Sequence, residues 1–240
     1  EIMKRLLASI VFVALLVAGI VYISAVVRPN EDRDGIWKTY KTLEPNSVDV
    51  LLTGSSKIHA NVNPLIMWKN EGFTAYDISG SSMDFNTMYY YLREAYRTQH
   101  PKVVVIDILL MGNSGTTLDD IQMRNIMDMP FGANKIAASM SKNIIPVSRE
   151  KVLFPMEQFH SRIFSSREVT STAYLRKKFL HESENVFMGY RYLSSSEHIV
   201  PITNMQKFDE KLFDRHYAEL RRSLDFLKKQ NCKVLLVNTP

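Results

Sequence analysis

The chain begins with an uninterrupted apolar run, and the remainder alternates short apolar runs with amphipathic stretches. Residues 6–27 (LLASIVFVALLVAGIVYISAVV) carry no charged side chain. At about 1.5 Å per residue, a helix of this length crosses a hydrocarbon core of about 30 Å. Lys4 and Arg5 precede the run. Cationic residues on the short N-terminal side favour a cytoplasmic N-terminus, so we expect the bulk of the chain outside.

Two other structures are compatible with an N-terminal apolar run. A cleaved signal peptide has a shorter apolar core and a small-residue exit, and Ile23-Ser24-Ala25 is a poor cleavage site. A buried core helix has a polar stripe, which this run lacks. We therefore predict an uncleaved membrane anchor over residues 1–28. The polar, proline-bounded stretch 29–46 is predicted to be a linker.

The rest of the chain predicts an α/β domain with a parallel sheet. Short apolar runs favour buried strands, and apolar residues at helical spacing favour amphipathic helices. The predicted strands are 48–53, 73–78, 103–109 and 233–238, and the predicted helices between them are 64–71, 86–99 and 207–230. Such alternation is typical of helices on both faces of a parallel sheet. Segment 113–205 has no clear strand, and helices near 118–128 and 167–181 suggest a helical insertion.

Composition and charge exclude several classes of protein. The chain is 45% hydrophobic and 23% charged, which is ordinary for a globular protein and excludes a disordered or disulfide-rich one. Cys232 is the single cysteine, so no internal disulfide and no cysteine-based zinc site is expected. No His-Glu-x-x-His pattern occurs, and we predict no metal and no cofactor. The net charge of +5 is mild, and we expect no nucleic acid as a partner of an extracytoplasmic domain.

Small polar side chains follow three of the predicted strands. Ser55 and Ser56 follow the first, Ser79 and Gly80 the second, and Asn113 the third. Ligands of open α/β sheets bind at the carboxyl ends of strands. A serine hydroxyl activated by a base is a nucleophile, and glycine N–H and asparagine amide groups stabilise an oxyanion. These are the parts of an esterase, although ordinary turn chemistry also favours Gly and Ser.

Two well-known motifs are not matched. The nucleophile elbow Gly-x-Ser-x-Gly fails, because Ile58 stands where its last glycine belongs. The Gly54-Ser55-Ser56-Lys57 stretch lacks the spacing of a phosphate-binding P-loop. A glycine-rich turn of this kind can still cradle a phosphate, and that alternative stays open.

Two stretches carry a family resemblance. LLTGSSKIHANVNPLIMW and YDISGSSMDFNTMYYYLREAYRTQHPKVVVIDI resemble membrane-anchored SGNH/GDSL-hydrolase-like, DltD-like proteins of Gram-positive bacteria. FPMEQFHSRI and MGYRY, further along the chain, are similar to later stretches of that family. The resemblance is most specific over 47–110, and it is looser over 150–192 and 207–240.

The resemblance implies a flavodoxin-like, three-layer α/β/α domain over 47–240 with esterase or acyl-transfer chemistry. The family's nucleophilic serine corresponds to Ser56, and its second-block glycine, an oxyanion donor, corresponds to Gly80. The third-block asparagine corresponds best to Asn113, with Asn86 as the second choice. His160 is carried over as a residue that orients substrate, with a simple hydrogen bond within its loop as the alternative.

The chain also departs from the family pattern. Ser55 stands in place of the aspartate of the first block, Lys57 replaces a histidine that is common in these relatives, and Ile163 replaces a tryptophan. His59, two positions on, reaches Ser56 only if the loop turns tightly. The family's Asp-x-x-His block, which holds the catalytic base, does not occur in these residues. We expect it beyond Pro240, so the 47–240 domain is predicted to be C-terminally truncated.

The sequence thus supports a ranked pair of hypotheses. The first is a single-pass membrane protein whose outer domain is a serine esterase or O-acyltransferase acting on acyl esters of teichoic acid or polysaccharide. Its partners are the acyl donor or acylated polymer and, in this family, a membrane-bound O-acyltransferase. The second is a non-catalytic domain of the same fold that binds such an acyltransferase or an envelope polymer.

Overall fold

A computed structural model describes residues 1–28, 34–111, 119–141, 149–165, 187–190 and 209–238, with 171, 172, 174, 175 and 179 between them. The chain divides into two compact units. One comprises residues 1–31 and 148–182, and the other comprises 32–147 and 183–240. We call them the anchor unit and the sheet unit.

Helices make up most of both units. Eleven are defined among the described residues: α1 (Ile2–Val27), α2 (Asp34–Thr42), α3 (Ser56–Asn61), α4 (Pro64–Glu71), α5 (Phe85–Ala95), α6 (Asp119–Asp128), α7 (Ala133–Met140), α8 (Arg149–Leu153), α9 (Met156–Phe159), α10 (Arg162–Ser165) and α11 (Glu210–Lys229). Helices α1 and α8–α10 belong to the anchor unit, and the others belong to the sheet unit.

The sheet unit is built on four parallel strands. They are β1 (Val50–Thr53), β2 (Ala75–Asp77), β3 (Val103–Asp107) and β4 (Lys233–Val237). Their spatial order is β2-β1-β3-β4, and all three pairings are parallel. The α/β class and the parallel sheet predicted from the alternating pattern are therefore confirmed. The chain moves outward from β1 in both directions, so the strand order reverses between β1 and β3.

Alternate strand residues point to opposite faces of the sheet. Both faces are covered over β1, β2 and most of β3, whereas β4 is partly exposed. Val50, Leu52 and Val105 form one core with Ile58 of α3 and with partly buried side chains of α4 and its flanks. On the other face, strand residues such as Leu51 are fully buried. Helices α5 and α11 pack together, and right-handed crossovers place both on that second face.

Three parts of the fold differ from the sequence-based expectation or extend it. The stretch 29–46, predicted to be a linker, contains helix α2, whose Trp37 and Tyr40 are buried in the sheet unit. Helix α3 was not predicted, because it is only six residues long. Among the described residues between β3 and α11, all regular elements are helices, as the predicted insertion requires. The predicted helix near 167–181 lies mostly outside the described residues.

The anchor unit consists of α1 and a short helical collar. We define the collar as residues 149–165 together with Tyr174 and Phe179. Helix α1 spans 26 residues with a most apolar window of mean hydropathy 2.9, so it is long and apolar enough to cross a membrane. The collar contacts the last turns of α1, where Met156 N–H donates to the Ser24 hydroxyl at 3.3 Å.

Candidate functional site

The loops after β1, β2 and β3 meet at the carboxyl edge of the sheet. The N–H of Gly80, after β2, donates to the carbonyl of Gly54, after β1, at 2.9 Å. The hydroxyl of Ser55 donates to the Asp107 carboxylate at the end of β3. The loops after β1 and β2 therefore meet each other and the end of β3, at the point where the strand order reverses. Ligands of open α/β sheets bind at such switch points.

Ser55, rather than Ser56, is tied down by hydrogen bonds. Its Oγ lies 2.5 Å from Asp107 Oδ2, and its N–H reaches the same oxygen at 3.4 Å. The Ser55 Oγ also accepts from the N–H of Lys57 at 3.3 Å and so caps the first turn of α3. Asp107 Oδ1 accepts from the Leu109 N–H at 3.0 Å. The carboxylate therefore fixes both its own loop and the start of α3.

Gly54 permits this close approach. Its φ of +145° lies where side-chain-bearing residues rarely go, and a Cβ there would lie 2.5 Å from the Asp107 Cβ. A larger residue would therefore push the β1 loop away from β3. Glycine is therefore favoured at position 54 for a structural reason that is independent of any catalytic role.

Ser56 is the first residue of α3 and is half-buried. No described side chain or backbone group bonds its hydroxyl, in contrast to Ser55, whose oxygen makes two bonds. Ser56 is thus partly accessible to solvent, and its position is set by the hydrogen-bonded Ser55 beside it. This combination suits a nucleophile, whose attacking oxygen must be both positioned and available.

A buried histidine and serine pair joins the first two loops. The His59 Nδ1 lies 3.4 Å from the Ser79 Oγ, and both residues are buried. The Ser79 N–H donates to Asp77 Oδ1 at 2.7 Å. His59 therefore turns into the protein towards Ser79. Its described contact on Nδ1 is with that hydroxyl, so the sequence-based idea that His59 activates Ser56 gains no support from this geometry.

Gly80 sits tightly against a residue that the sequence analysis did not single out. A Cβ at Gly80 would overlap the Asn125 side chain. Asn125, on α6, donates from Nδ2 to the Ser81 carbonyl at 2.9 Å, and its own carbonyl accepts from the Tyr91 hydroxyl. Asn125 is buried and holds the second loop in place. Its isolated position in an amphipathic stretch carried no signal for this role.

The other predicted oxyanion groups are placed as follows. Asn113 lies outside the described residues. Asn86, the second choice, is fully buried on α5, and its Oδ1 accepts from the Ser141 hydroxyl at 3.1 Å and from Arg222 Nη1 at 3.4 Å. The N–H of Gly80 is engaged with Gly54, as described above. Asn86 thus serves the packing of helices in this structure.

His160 belongs to the anchor unit, at the end of α9. It is exposed, and its Nδ1–H donates to the Glu157 carbonyl one turn earlier at 3.0 Å. This bond matches the simpler alternative given above, a hydrogen bond within the local segment. The MGYRY stretch is described only in part. Its Met188 carbonyl accepts from the Asp77 N–H at 2.9 Å, so this segment lies against the end of β2.

Two titratable groups near the carboxyl edge are strongly influenced by burial. Asp84 caps α5 through a hydrogen bond from the Thr87 N–H, and burial raises the pKa of its carboxyl. His216 of α11 donates from Nδ1 to the carbonyl of Leu110, just after β3, at 2.9 Å. Burial lowers the pKa of His216, and this bond opposes the change. Burial thus favours the neutral form of His216 beside the third loop.

Within the described ranges, no group of three or more His, Cys, Asp or Glu side chains is arranged to hold a metal ion. Comparison with known proteins finds no match to this chain among family models, curated proteins or solved structures.

Proposed function

We propose that this chain is a membrane-anchored, extracytoplasmic serine esterase or O-acyltransferase of the SGNH type. Its substrates are acyl esters of envelope polymers such as teichoic acid or polysaccharide. The observation that carries the proposal is the Ser56 hydroxyl. It is half-buried and unbonded among the described groups, and it follows β1 at the switch point of a parallel sheet.

The strand order supports a flavodoxin-like fold. The order β2-β1-β3-β4 is the order of the first four strands in the doubly wound 2-1-3-4-5 arrangement. In the proposed family, the nucleophile follows β1 and the oxyanion donors follow β2 and β3. The three loops that meet here follow the same three strands.

The proposed reaction begins with attack of the Ser56 Oγ on the ester carbonyl carbon. The serine proton passes to a base and then to the alcohol oxygen of the ester as that bond breaks. The oxygen of water or of a polymer hydroxyl then attacks the acyl carbon, the bond to the Ser56 Oγ breaks, and the acceptor's proton passes through the base back to the Ser56 Oγ. The base is proposed to be a histidine outside the described residues. Gly80 and Asn113 remain the proposed oxyanion donors, and Gly80 must first exchange its bond to Gly54.

The anchor gives this chemistry its location. Helix α1 is proposed to cross the membrane with its N-terminus inside, so that the sheet unit faces outward. Tethering the site to the bilayer raises its effective concentration towards membrane-borne acyl donors. A membrane-bound O-acyltransferase is the proposed protein partner.

The nucleophile is tested with a fluorophosphonate probe on the full chain in membranes. We expect wild type to be labelled and Ser56→Ala to lose the label with an unchanged melting temperature, because the Ser56 hydroxyl makes no described bond. Ser81→Ala is the matched control, since Ser81 is also half-buried and lies on the neighbouring loop. Equal labelling of wild type and Ser56→Ala would exclude Ser56 as the nucleophile.

A second function is favoured by two hydrogen bonds. The Gly80 N–H donates to the Gly54 carbonyl, and the His59 Nδ1 lies beside the Ser79 hydroxyl, so both of these groups are engaged within the loops. These bonds suit a non-catalytic domain that binds an acyltransferase or an envelope polymer. In that case wild type takes up no label, and co-purification with a membrane acyltransferase survives Ser56→Ala.

A further inference from the structure

The lipid-facing part of α1 ends where the collar begins. Large apolar side chains of α1 are exposed from Ile2 to Ile23, whereas Ser24 and Val27 are buried. From Leu6 to Ile23, the helix rises about 27 Å at 1.5 Å per residue. That length is close to the hydrocarbon thickness of about 30 Å. The collar therefore covers α1 just beyond the segment that fits inside a bilayer.

The collar also satisfies the backbone groups at the end of α1. The last carbonyls of a helix lack partners within the helix, and hydrocarbon offers none. Tyr174 Oη donates to the Val26 carbonyl at 2.9 Å. Arg162 Nη1 donates to the Val27 carbonyl at 2.6 Å. A cation is also favourable at this negative end of the helix dipole.

The collar exposes aromatic and aliphatic side chains beside these polar ones. Phe164 is 88% exposed and follows Ile163, which is 36% exposed. Phe179 is 47% exposed, and its ring stacks on Tyr22 of α1 with centroids 5.6 Å apart. A phenylalanine left almost entirely in water is unfavourable, because burial of its apolar ring would be favourable.

We propose that the collar lies in the interfacial layer of the bilayer on the exit side of α1, with Phe164 inserted among the lipids. This inference rests on the proposed anchor, because it requires α1 to span the membrane. Lipid is the occupant that the observations favour, since the collar continues the lipid-facing surface of α1. Its mixture of Arg, Tyr and Phe is also typical of side chains at the membrane–water boundary.

A single-cysteine fluorescence experiment tests this placement. The full chain carries Cys232→Ser, and one new cysteine is labelled with bimane in vesicles of phosphatidylethanolamine and phosphatidylglycerol. The test position is Phe164→Cys. Glu157→Cys is the matched control, because Glu157 is an exposed, polar position of the same collar. Val13→Cys reports on the middle of α1. Quenchers are aqueous iodide and lipids with a nitroxide near the headgroup or deep in the acyl chain.

We expect the 164 label to lose emission to the headgroup nitroxide and to be protected from iodide, whereas the 157 label shows the reverse. If the 164 label behaves like the 157 label while the 13 label stays protected from iodide, the inference fails and the anchor stands. If iodide reaches the 13 label, the anchor fails and the inference fails with it. Protection of the 164 label from iodide without quenching by lipid would mean that another copy of the chain covers it, which also overturns the proposal.

Because Phe164→Cys removes an exposed side chain, the variant protein is expected to fold normally. Ile163→Cys gives a second, independent position on the same surface. It is less exposed than Phe164, so its label is expected to lose less emission to the headgroup nitroxide.

Discussion

Gly54 shows how one residue brings two strand ends together. Its left-handed backbone conformation lets the β1 loop lie directly against Asp107. The Ser55 hydroxyl reaches the Asp107 carboxylate only across this short gap. The geometry next to Ser56 therefore depends on the absence of a side chain two positions earlier.

A pair of glycine substitutions tests this. Gly54→Ala adds both backbone strain and overlap with Asp107, and we expect a loss of about 3 kcal/mol or more in the free energy of unfolding. Gly72→Ala is the matched control. Gly72 also has a positive φ, +74°, but a Cβ there meets nothing within 4 Å. Strain alone predicts a loss of about 1 kcal/mol there. Chemical denaturation measures both, and equal losses would contradict the crowding at Asp107.

At the scale of elements, Ser55 joins a helix start to a strand end. It caps α3, and the same oxygen donates to Asp107. A capping side chain that is exposed to water accepts from a backbone N–H of its own helix and makes no bond to a strand. Asn63, which caps α4 by accepting from the Leu65 N–H at 2.9 Å, is of that kind. Removal of the Ser55 side chain therefore also takes a hydrogen-bond donor from Asp107, whereas removal of the Asn63 side chain affects the start of α4 alone.

We expect Ser55→Ala to lower the free energy of unfolding by about 2–4 kcal/mol, since it removes a cap and leaves a buried carboxylate short of a donor. Asn63→Ala, the matched change, should cost about 1 kcal/mol. Thermal or denaturant unfolding distinguishes them. A double-mutant cycle with Asp107→Asn measures the coupling, and additive losses would show that the Ser55–Asp107 bond contributes nothing.

The elements with a clear apolar pattern could be predicted from the sequence. Helices α2 and α3 could not. The apolar runs of β1 and β3 are short and rich in β-branched and aliphatic residues, which favours buried strands. Helix α2 lies in the stretch 29–46, whose polar, proline-bounded composition predicts a linker, although Trp37 and Tyr40 lie one turn apart and both are buried. Helix α3 has too few residues to show a period.

The candidate site was predictable only in outline. That the three loops meet follows from parallel strands whose carboxyl ends share one edge. The bonds between the loops join residues far apart in the chain. Asp107 lies fifty-two positions from Ser55, and Asn125 lies forty-four from Ser81. No local pattern encodes such pairs, so the roles of Asp107 and Asn125 emerged only from the structure.

At the scale of the whole molecule, burial of His216 links stability to pH. Burial lowers its pKa in the folded state, whereas the unfolded chain has an ordinary histidine pKa of about 6.5. The unfolded state therefore binds the proton more readily. Stability from this group is present above about pH 6.5 and is lost as the pH falls through the folded pKa.

His216→Asn tests this link, because an asparagine amide keeps a donor for the Leu110 carbonyl and does not titrate. We expect the melting temperature of wild type to fall more steeply than that of the variant between about pH 7 and pH 5. Because wild type and variant contain the same carboxyl groups, the difference between their curves excludes the contribution of carboxyl titration. Parallel curves would mean that His216 has the same pKa in the folded and unfolded states, which would contradict the expected effect of its burial.

The position of β4 in the chain has a consequence for biosynthesis. β3 pairs with β4, yet more than a hundred residues separate them in the sequence. At about 5–20 residues per second, β4 leaves the ribosome on the order of ten seconds after β3. During that time the apolar edge formed by Val103, Val105 and neighbouring residues has no strand beside it. A nascent chain in this state is open to pairing with other strands, so a holdase that binds the nascent chain should raise its yield.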